Sequence, residues 1–227
     1  HNYADAAGSF GIGAAITGAV DLTHSGSGRT VLTGANSYTG VTRLNGGTVQ
    51  IDSASRLGGG NANLEMRGGT LASTASMFLS NRTVILGGDG GNFSVAAGTT
   101  NTLGVLLSES NFLAATRQNN GHGDLIKTGQ GTLELTYSIA DERTQSTNTY
   151  QGLTDIREGT LRVLGTNNFT LGSNKSFYDG TIVRNGATLE LGRNSTGVGT
   201  TYNMYEWLML EQGSTLRVAD PGSGYQS

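Results

Sequence analysis

Asn148-Thr149-Tyr150-Gln151-Gly152-Leu153-Thr154-Asp155-Ile156-Arg157-Glu158-Gly159-Thr160-Leu161-Arg162-Val163 restates an earlier stretch of the same chain, Asn36-Ser37-Tyr38-Thr39-Gly40-Val41-Thr42-Arg43-Leu44-Asn45-Gly46-Gly47-Thr48-Val49-Gln50-Ile51. Matched residues such as Tyr38 and Tyr150, or Gly47 and Gly159, all stand 112 positions apart. An internal repeat of this kind is read before anything else. Each copy holds two strand signals around a turn. Thr160-Leu161-Arg162-Val163 alternates with period two, as a strand with one buried face does. Gly159 supplies the permissive backbone of a corner. So small a unit cannot bury its own apolar face and must stack on neighbours.

Outward from the copies, the pattern continues. Gly28 and Gly131 match at an offset of 103, so nine residues enter the second unit, around Ser138 to Ser146. An insertion that leaves both flanks in register is a surface loop on a regular scaffold. The Gly-(Ala/Ser)-Thr-aliphatic signal returns at Gly159, Gly186 and Gly213, and from Thr132 the threonines step by 28, 28 and 27. Residues 1–25 read as an irregular segment or first coil, with a weak strand through Phe10, Ile12, Ala14 and Ile16. A first unit spans 26–107 and a protruding polar loop 108–124. A second unit spans 125–218 with its insertion at 138–147, and a tail covers 219–227. Tyr202 to Leu210, rich in β-prone aromatics, reads as a strand.

The composition agrees. In 227 residues there are 37 glycines and one proline, without the collagen period, which points to many turns between short strands. Charged residues are only 14%, with net charge −3, so no basic stripe suggests nucleic acid. Lys127 and Lys175 are the only lysines, too few for a polybasic membrane surface. The absence of cysteine removes disulfides and cysteine-based zinc sites. No apolar run is long enough for a membrane-spanning helix. The start, His1-Asn2-Tyr3, lacks a basic segment before an apolar one and reads as a processed chain or an excised piece.

Periods in the twenties with four- or five-residue strands predict an all-β solenoid, a parallel β-helix with inward aliphatic ladders. The expected ladders are Val49, Leu133, Leu161, Leu189 and Leu216, beside Ile51, Leu135, Val163, Leu191 and Val218. Each buried side chain contributes roughly 1.5–3 kcal/mol. Between them Glu134, Arg162, Glu190 and Arg217 should form one outward column of alternating sign, since opposite charges on adjacent strands attract. An antiparallel sandwich also has short, evenly spaced strands, but gives no reason for a constant offset over sixteen residues.

Gly129 to Thr136 with Asn148 to Val163, and again Gly28 to Ile51, resemble the autotransporter-associated β-strand repeat of Gram-negative type V secretion passengers. Arg82 to Leu107 is similar to the intervening part of that repeat, and weaker similarity reaches Val218. The resemblance implies a right-handed parallel β-helix with roughly three short strands per coil, on the cell surface or released from it. It also implies a C-terminal outer-membrane barrel in the full protein, for which nothing after Val218 offers strands.

Candidate sites are few. There is no Gly-x-Ser-x-Gly elbow, and His1, His24 and His122 have no motif around them and read as solvated loop histidines. Asp124, Glu134, Asp141, Glu142, Asp155 and Glu158 are scattered and read as surface charge rather than a glycosidase pair. Gly88-Asp89-Gly90-Gly91-Asn92 resembles a calcium nonapeptide but occurs once, so a turn is expected. Asn36 and Asn148 fit amide ladders at corners, and Tyr38 and Tyr150 should pack there with one edge exposed. The sequons at Asn81, Asn168, Asn174 and Asn194 read as chance in an Asn/Thr-rich chain. The expectation is a non-enzymatic adhesin without cofactor or metal. Its partner would be a host surface or matrix protein, a glycan, or another copy of itself. Loops 108–124 and 138–147 are the expected places of contact, and no individual binding residue is assigned. The alternatives are a polysaccharide-active enzyme and a non-binding stalk.

Overall fold

The computed structural model describes residues 8–59, 62–80, 82–104, 107–109, 123–136, 150–165, 171, 180–193 and 207–219. All pairing between the strands is parallel. A nine-stranded sheet stacks β1 (Ser9–Ile12), β3 (Arg29–Leu32), β5 (Thr48–Ile51), β7 (Thr70–Ser73), β10 (Gly91–Val95), β13 (Leu125–Thr128), β15 (Thr154–Ile156), β17 (Gly180–Val183) and β19 (Trp207–Leu210). A six-stranded sheet stacks β8 (Met77–Leu79), β11 (Thr100–Leu103), β14 (Thr132–Leu135), β16 (Thr160–Gly165), β18 (Thr188–Arg193) and β20 (Thr215–Ala219). A five-stranded sheet stacks β2 (Leu22–His24), β4 (Thr42–Leu44), β6 (Leu64–Met66), β9 (Val84–Leu86) and β12 (Leu107–Glu109). The chain visits one sheet after another and returns to each one strand higher. This is a parallel β-helix, with three strands per coil where β6, β7 and β8, then β9, β10 and β11, follow in turn.

Inside, the alternation read from the sequence becomes columns. Val49, Leu71 and Phe93 stack in the nine-stranded sheet, and Leu133, Leu161, Leu189 and Leu216 in the six-stranded one. Nearly all are fully buried, but Leu216 is 41% exposed in the last strand of its sheet, with no described strand above it. Outside, Glu134, Arg162, Glu190 and Arg217 are successive partners in one column, as expected from their alternating sign.

Two expectations are corrected. Val49 and Ile51 are buried but belong to the nine-stranded sheet, so they do not stack with Leu133 and Leu135. Coil length is the cause. Thr42, Leu64 and Val84 are successive partners 22 and 20 residues apart, whereas Thr132, Thr160, Thr188 and Thr215 are 28, 28 and 27 apart. The second copy of the repeat is therefore displaced by one sheet. Tyr38 and Tyr150 have no exposed edge: both are 0% accessible, and each hydroxyl meets a threonine hydroxyl at 2.6 Å (Thr42 and Thr154).

The weak N-terminal strand is found at Ser9–Ile12 and the aromatic one at Trp207–Leu210. Strand β8 has no glycine corner before it, and β17, Gly180-Thr181-Ile182-Val183, is buried throughout and lacks the polar alternation. Neither these two nor the 3-10 turn at Ala54–Leu57 was legible as an element. Insertion 138–147, most of loop 108–124, residues 202–206 of the aromatic strand, residues 220–227 of the tail, His1, His122, Asn148, Asp141, Glu142 and the asparagines of the four sequons lie outside the described residues.

Candidate binding surface

Outward side chains alternate with the inward ones, so each sheet presents columns to solvent about 4.8 Å apart from strand to strand. Most charges on these columns satisfy one another. On the six-stranded sheet Arg162 donates to Glu190 at 2.7 Å and Glu134 at 3.1 Å, and Arg217 reaches Glu190 at 3.3 Å. On the five-stranded sheet Arg43 bridges Asp21 and Glu65, and Arg67 also meets Glu65. Higher on the nine-stranded sheet Asp155 receives Arg157 and Arg184, and Arg184 continues to Glu211. Burial raises the Asp155 carboxyl, but hydrogen bonds from Arg184 and Arg157 outweigh it and hold the group below its ordinary range.

The lower half of the nine-stranded sheet differs. Its outward columns run Arg29, Thr48, Thr70, Asn92 and Val31, Gln50, Ala72, Ser94, Thr128. All of these but Val31 line a shallow trough of about 570 Å³, together with Ser73, Thr74, Val95, Ala96, Ala97, Gly129 and Gln130. Its lining contains no carboxylate. Arg29 donates to Gln50 Oε1; Asn92 joins Thr70 at 3.2 Å and Thr128 at 2.9 Å. The Thr48 and Ser94 hydroxyls have no partner among the described residues.

Sequence reading placed His24 in a solvated loop; it is 2% exposed, at the inward end of β2. Nε2 lies 3.2 Å from the Gly28 carbonyl, which can only accept, so Nε2 carries the proton and Nδ1 accepts from Thr30 at 3.2 Å. Burial lowers its pKa, with the Gly28 bond opposing. Lys127, in the column between Phe93 and Ile156, is fully buried. Its three ammonium protons meet the carbonyls of Thr128, Gly129 and Glu158 at 2.8, 2.7 and 3.1 Å. Burial pushes its pKa down to about 8, against the pull of Glu158. The signal for both was present: Leu22-x-His24 and Leu125-x-Lys127 alternate as inward pairs and match at the offset of 103.

The remaining candidates fall into structural roles. Asp124 Oδ1 accepts from the Leu153 amide at 2.8 Å, and Glu158 from the Gly129 amide at 2.9 Å. Asn36 bonds backbone instead of another amide, accepting from Ile16 at 2.8 Å and donating to Arg56 at 2.7 Å. Asp89 lies in a turn closed by Gly90 N to Gly87 O at 2.8 Å. No cluster of three or more His, Asp or Glu able to hold a metal occurs among the described residues. No described helix is long and apolar enough to cross a membrane.

Comparison with known proteins agrees with this geometry. The passenger-associated-transport-repeat family matches residues 22–51 and 125–163, the two copies of the repeat. The adhesin BmaC autotransporter of Brucella suis biovar 1 (strain 1330) is 36% identical over 154 residues, 68% of this chain. The chain spans about 4% of that relative's length. No solved structure matches. Two transport repeats wound into one parallel β-helix identify the chain as a segment of an autotransporter passenger.

Proposed function

We propose that this segment belongs to a surface-exposed or released adhesin, which contacts a host surface or matrix molecule, or another copy of itself. The observation that carries the proposal is the similarity, over 68% of the chain, to a relative named as an adhesin autotransporter. The fold supports it, because a stack of coils offers a long side surface with loops projecting from it. Commitment of Glu134, Asp155 and Glu190 to arginine ladders, and of Asp124 and Glu158 to backbone amides, supports binding rather than hydrolysis. Loops 108–124 and 138–147 are proposed contact points, alongside the sheet faces. The test is adherence of the purified chain to epithelial cells and to immobilised matrix proteins. Saturable adherence that weakens on deletion of 138–147 is expected. A chain that adheres to none of these surfaces and does not self-associate would be a stalk, and the proposal would fall.

A further inference from the structure

Among the described residues, Arg43, Arg56, Arg67, Arg157, Arg162, Arg184 and Arg217 each have a carboxylate partner. Arg29 is exposed and has none; its described side-chain partner is the neutral Gln50. It stands at one end of the trough on the nine-stranded sheet. Beyond it hydroxyls and amides, from Thr48, Gln50, Thr70, Asn92, Ser94 and Thr128, surround Ala72 on the floor. We propose that this trough binds a hydroxyl-rich glycan carrying an acidic sugar, with the acid group at Arg29 and the sugar hydroxyls across the threonine, serine and amide columns. This rests on the adhesive function proposed above and names its ligand class.

Three features select a glycan. Hydroxyl and amide side chains from four strands sit beside the small apolar Ala72, Val95, Ala96 and Ala97, a mixed floor that matches the hydroxyl edges and C–H faces of sugar rings. Columns of donors and acceptors repeat at the strand spacing of about 4.8 Å, which suits a ligand that is itself a repeating chain of hydroxyls. With no carboxylate in the lining there is neither general acid nor nucleophile for a glycosidic bond, so the site binds without cleaving. The charge layout sets the direction. Arg29 lies at one end, and exposed Glu158, bonded to Gly129, lies by the other, so an anion is drawn to the first and repelled from the second.

Isothermal titration of the purified chain with hexagalacturonate, 3′-sialyllactose and neutral cellohexaose tests this. Binding of either acidic sugar, on the order of tenfold tighter than cellohexaose, is expected from one charge-assisted contact. The first two arms separate a uronate polysaccharide from a host sialoglycan as the source. Arg29→Gln should erase the preference for acid while leaving thermal stability unchanged. Ala72→Glu places a negative charge at mid-trough and should remove acidic-sugar binding; Ser94→Glu serves if Ala72→Glu does not fold. Failure of both acidic sugars to bind, equal binding of cellohexaose, or full binding by a folded Glu variant overturns the proposal. The same proteins are scored for cell adherence. A chain that adheres but binds none of these sugars retires the trough and leaves the adhesive function standing. A chain that binds sugar but does not adhere does the reverse.

Discussion

The two copies of the repeat solve the same corner with different chemistry. Carbonyls of Gly26 and Gly28 in the first, and of Gly129 and Gly131 in the second, converge on Gly47 and Gly159. The first copy approaches its corner with a neutral imidazole, His24; the second brings the ammonium of Lys127. Around that difference much is held constant. Asp21 and Asp124 each accept one backbone amide at 2.8 Å, from Val41 and Leu153. Tyr38 and Tyr150 each meet their threonine at 2.6 Å. Yet the copies occupy different sheets: β2 and β3 lie in the five- and nine-stranded sheets, β13 and β14 in the nine- and six-stranded ones. The repeat is thus a corner that closes locally, and it tolerates being turned from one side of the helix to the next.

The corner glycines test that constancy most severely. Gly47 and Gly159 have φ of +57° and +64°, and a Cβ on either would press on carbonyl oxygens of the coil below. An alanine adds a left-handed backbone penalty of about 1–2 kcal/mol and overpacking of about 1–3 kcal/mol. Gly47→Ala and Gly159→Ala should each cost about 3 kcal/mol or more in urea unfolding. The two costs should be similar, because beyond the two carbonyl oxygens the added Cβ would sit 2.7 Å from His24 Nε2 at Gly47 and 2.8 Å from the Gln130 carbonyl carbon at Gly159. Tolerance of one substitution and not the other would break the equivalence of the corners.

Titration should separate what the glycines hold in common. His24 has its folded pKa lowered by burial, so below about pH 6.5 the unfolded chain takes up the proton first and stability is lost. Lys127 has its folded pKa lowered to about 8 from 10.5, so the unfolded chain again binds the extra proton. In that window stability rises with pH, by up to about 3 kcal/mol between the two values. Lys127→Met should flatten the alkaline limb and leave the acid limb intact. His24→Lys should remove the acid limb and steepen the alkaline one. Denaturant midpoints measured from about pH 5 to about pH 10.5 decide it, and an acid limb that persists in His24→Lys would assign it to another group.

How much of this was open to the sequence follows from the scale on which each feature is fixed. Strand positions and the Glu134–Arg162–Glu190–Arg217 column are set by alternation and by steps of 27 or 28 residues, all visible in the chain. The sheet that receives each strand depends on the accumulated lengths of all preceding turns, which is why Val49 lies in the nine-stranded sheet and not in the column of Leu133. At His24 residue type and register point in opposite directions, and register decides. An imidazole suggested solvent, while its place two residues after Leu22 pointed inward. The trough was illegible because its lining joins β3, β5, β7, β10 and β13, which lie across a hundred residues and, Arg29 apart, contribute uncharged side chains with no motif.

A smaller effect is expected at the buried tyrosines. Tyr38→Phe and Tyr150→Phe each remove one hydrogen bond and leave a buried threonine hydroxyl, Thr42 or Thr154, without it. The cost should be about 1–2 kcal/mol in each copy. Burial raises the Tyr38 pKa, with the bond to Thr42 opposing, so its phenol should ionise only above the ordinary tyrosine range. The two losses should agree within about 0.5 kcal/mol and add in the double variant, because the sites are distant and share no partner. A clear inequality would show that the sheet around the corner, and not the corner alone, sets its strength.

The smallest effect lies on the outer face, where the copies differ without consequence for folding. Directly paired Glu134 and Arg162 in the second copy correspond to directly paired Val31 and Gln50 in the first. That exchange of a charged pair for a neutral one is why the six-stranded sheet carries an ion ladder while the lower nine-stranded sheet carries the trough. Val31→Glu with Gln50→Arg would write the second copy's pair into the first. Both positions are half-buried and outward, so the new pair should change stability by no more than about 1 kcal/mol, and a double-mutant cycle should give a coupling of about 0.2–1 kcal/mol. Adhesion or sugar binding through the trough should nonetheless be lost. The carboxylate introduced in place of Val31 would compete for Arg29, and the guanidinium introduced in place of Gln50 would lie across the floor. A variant that folds as the parent does and has lost binding assigns the difference between the copies to function; loss of folding would show that the neutral pair is needed by the sheet itself.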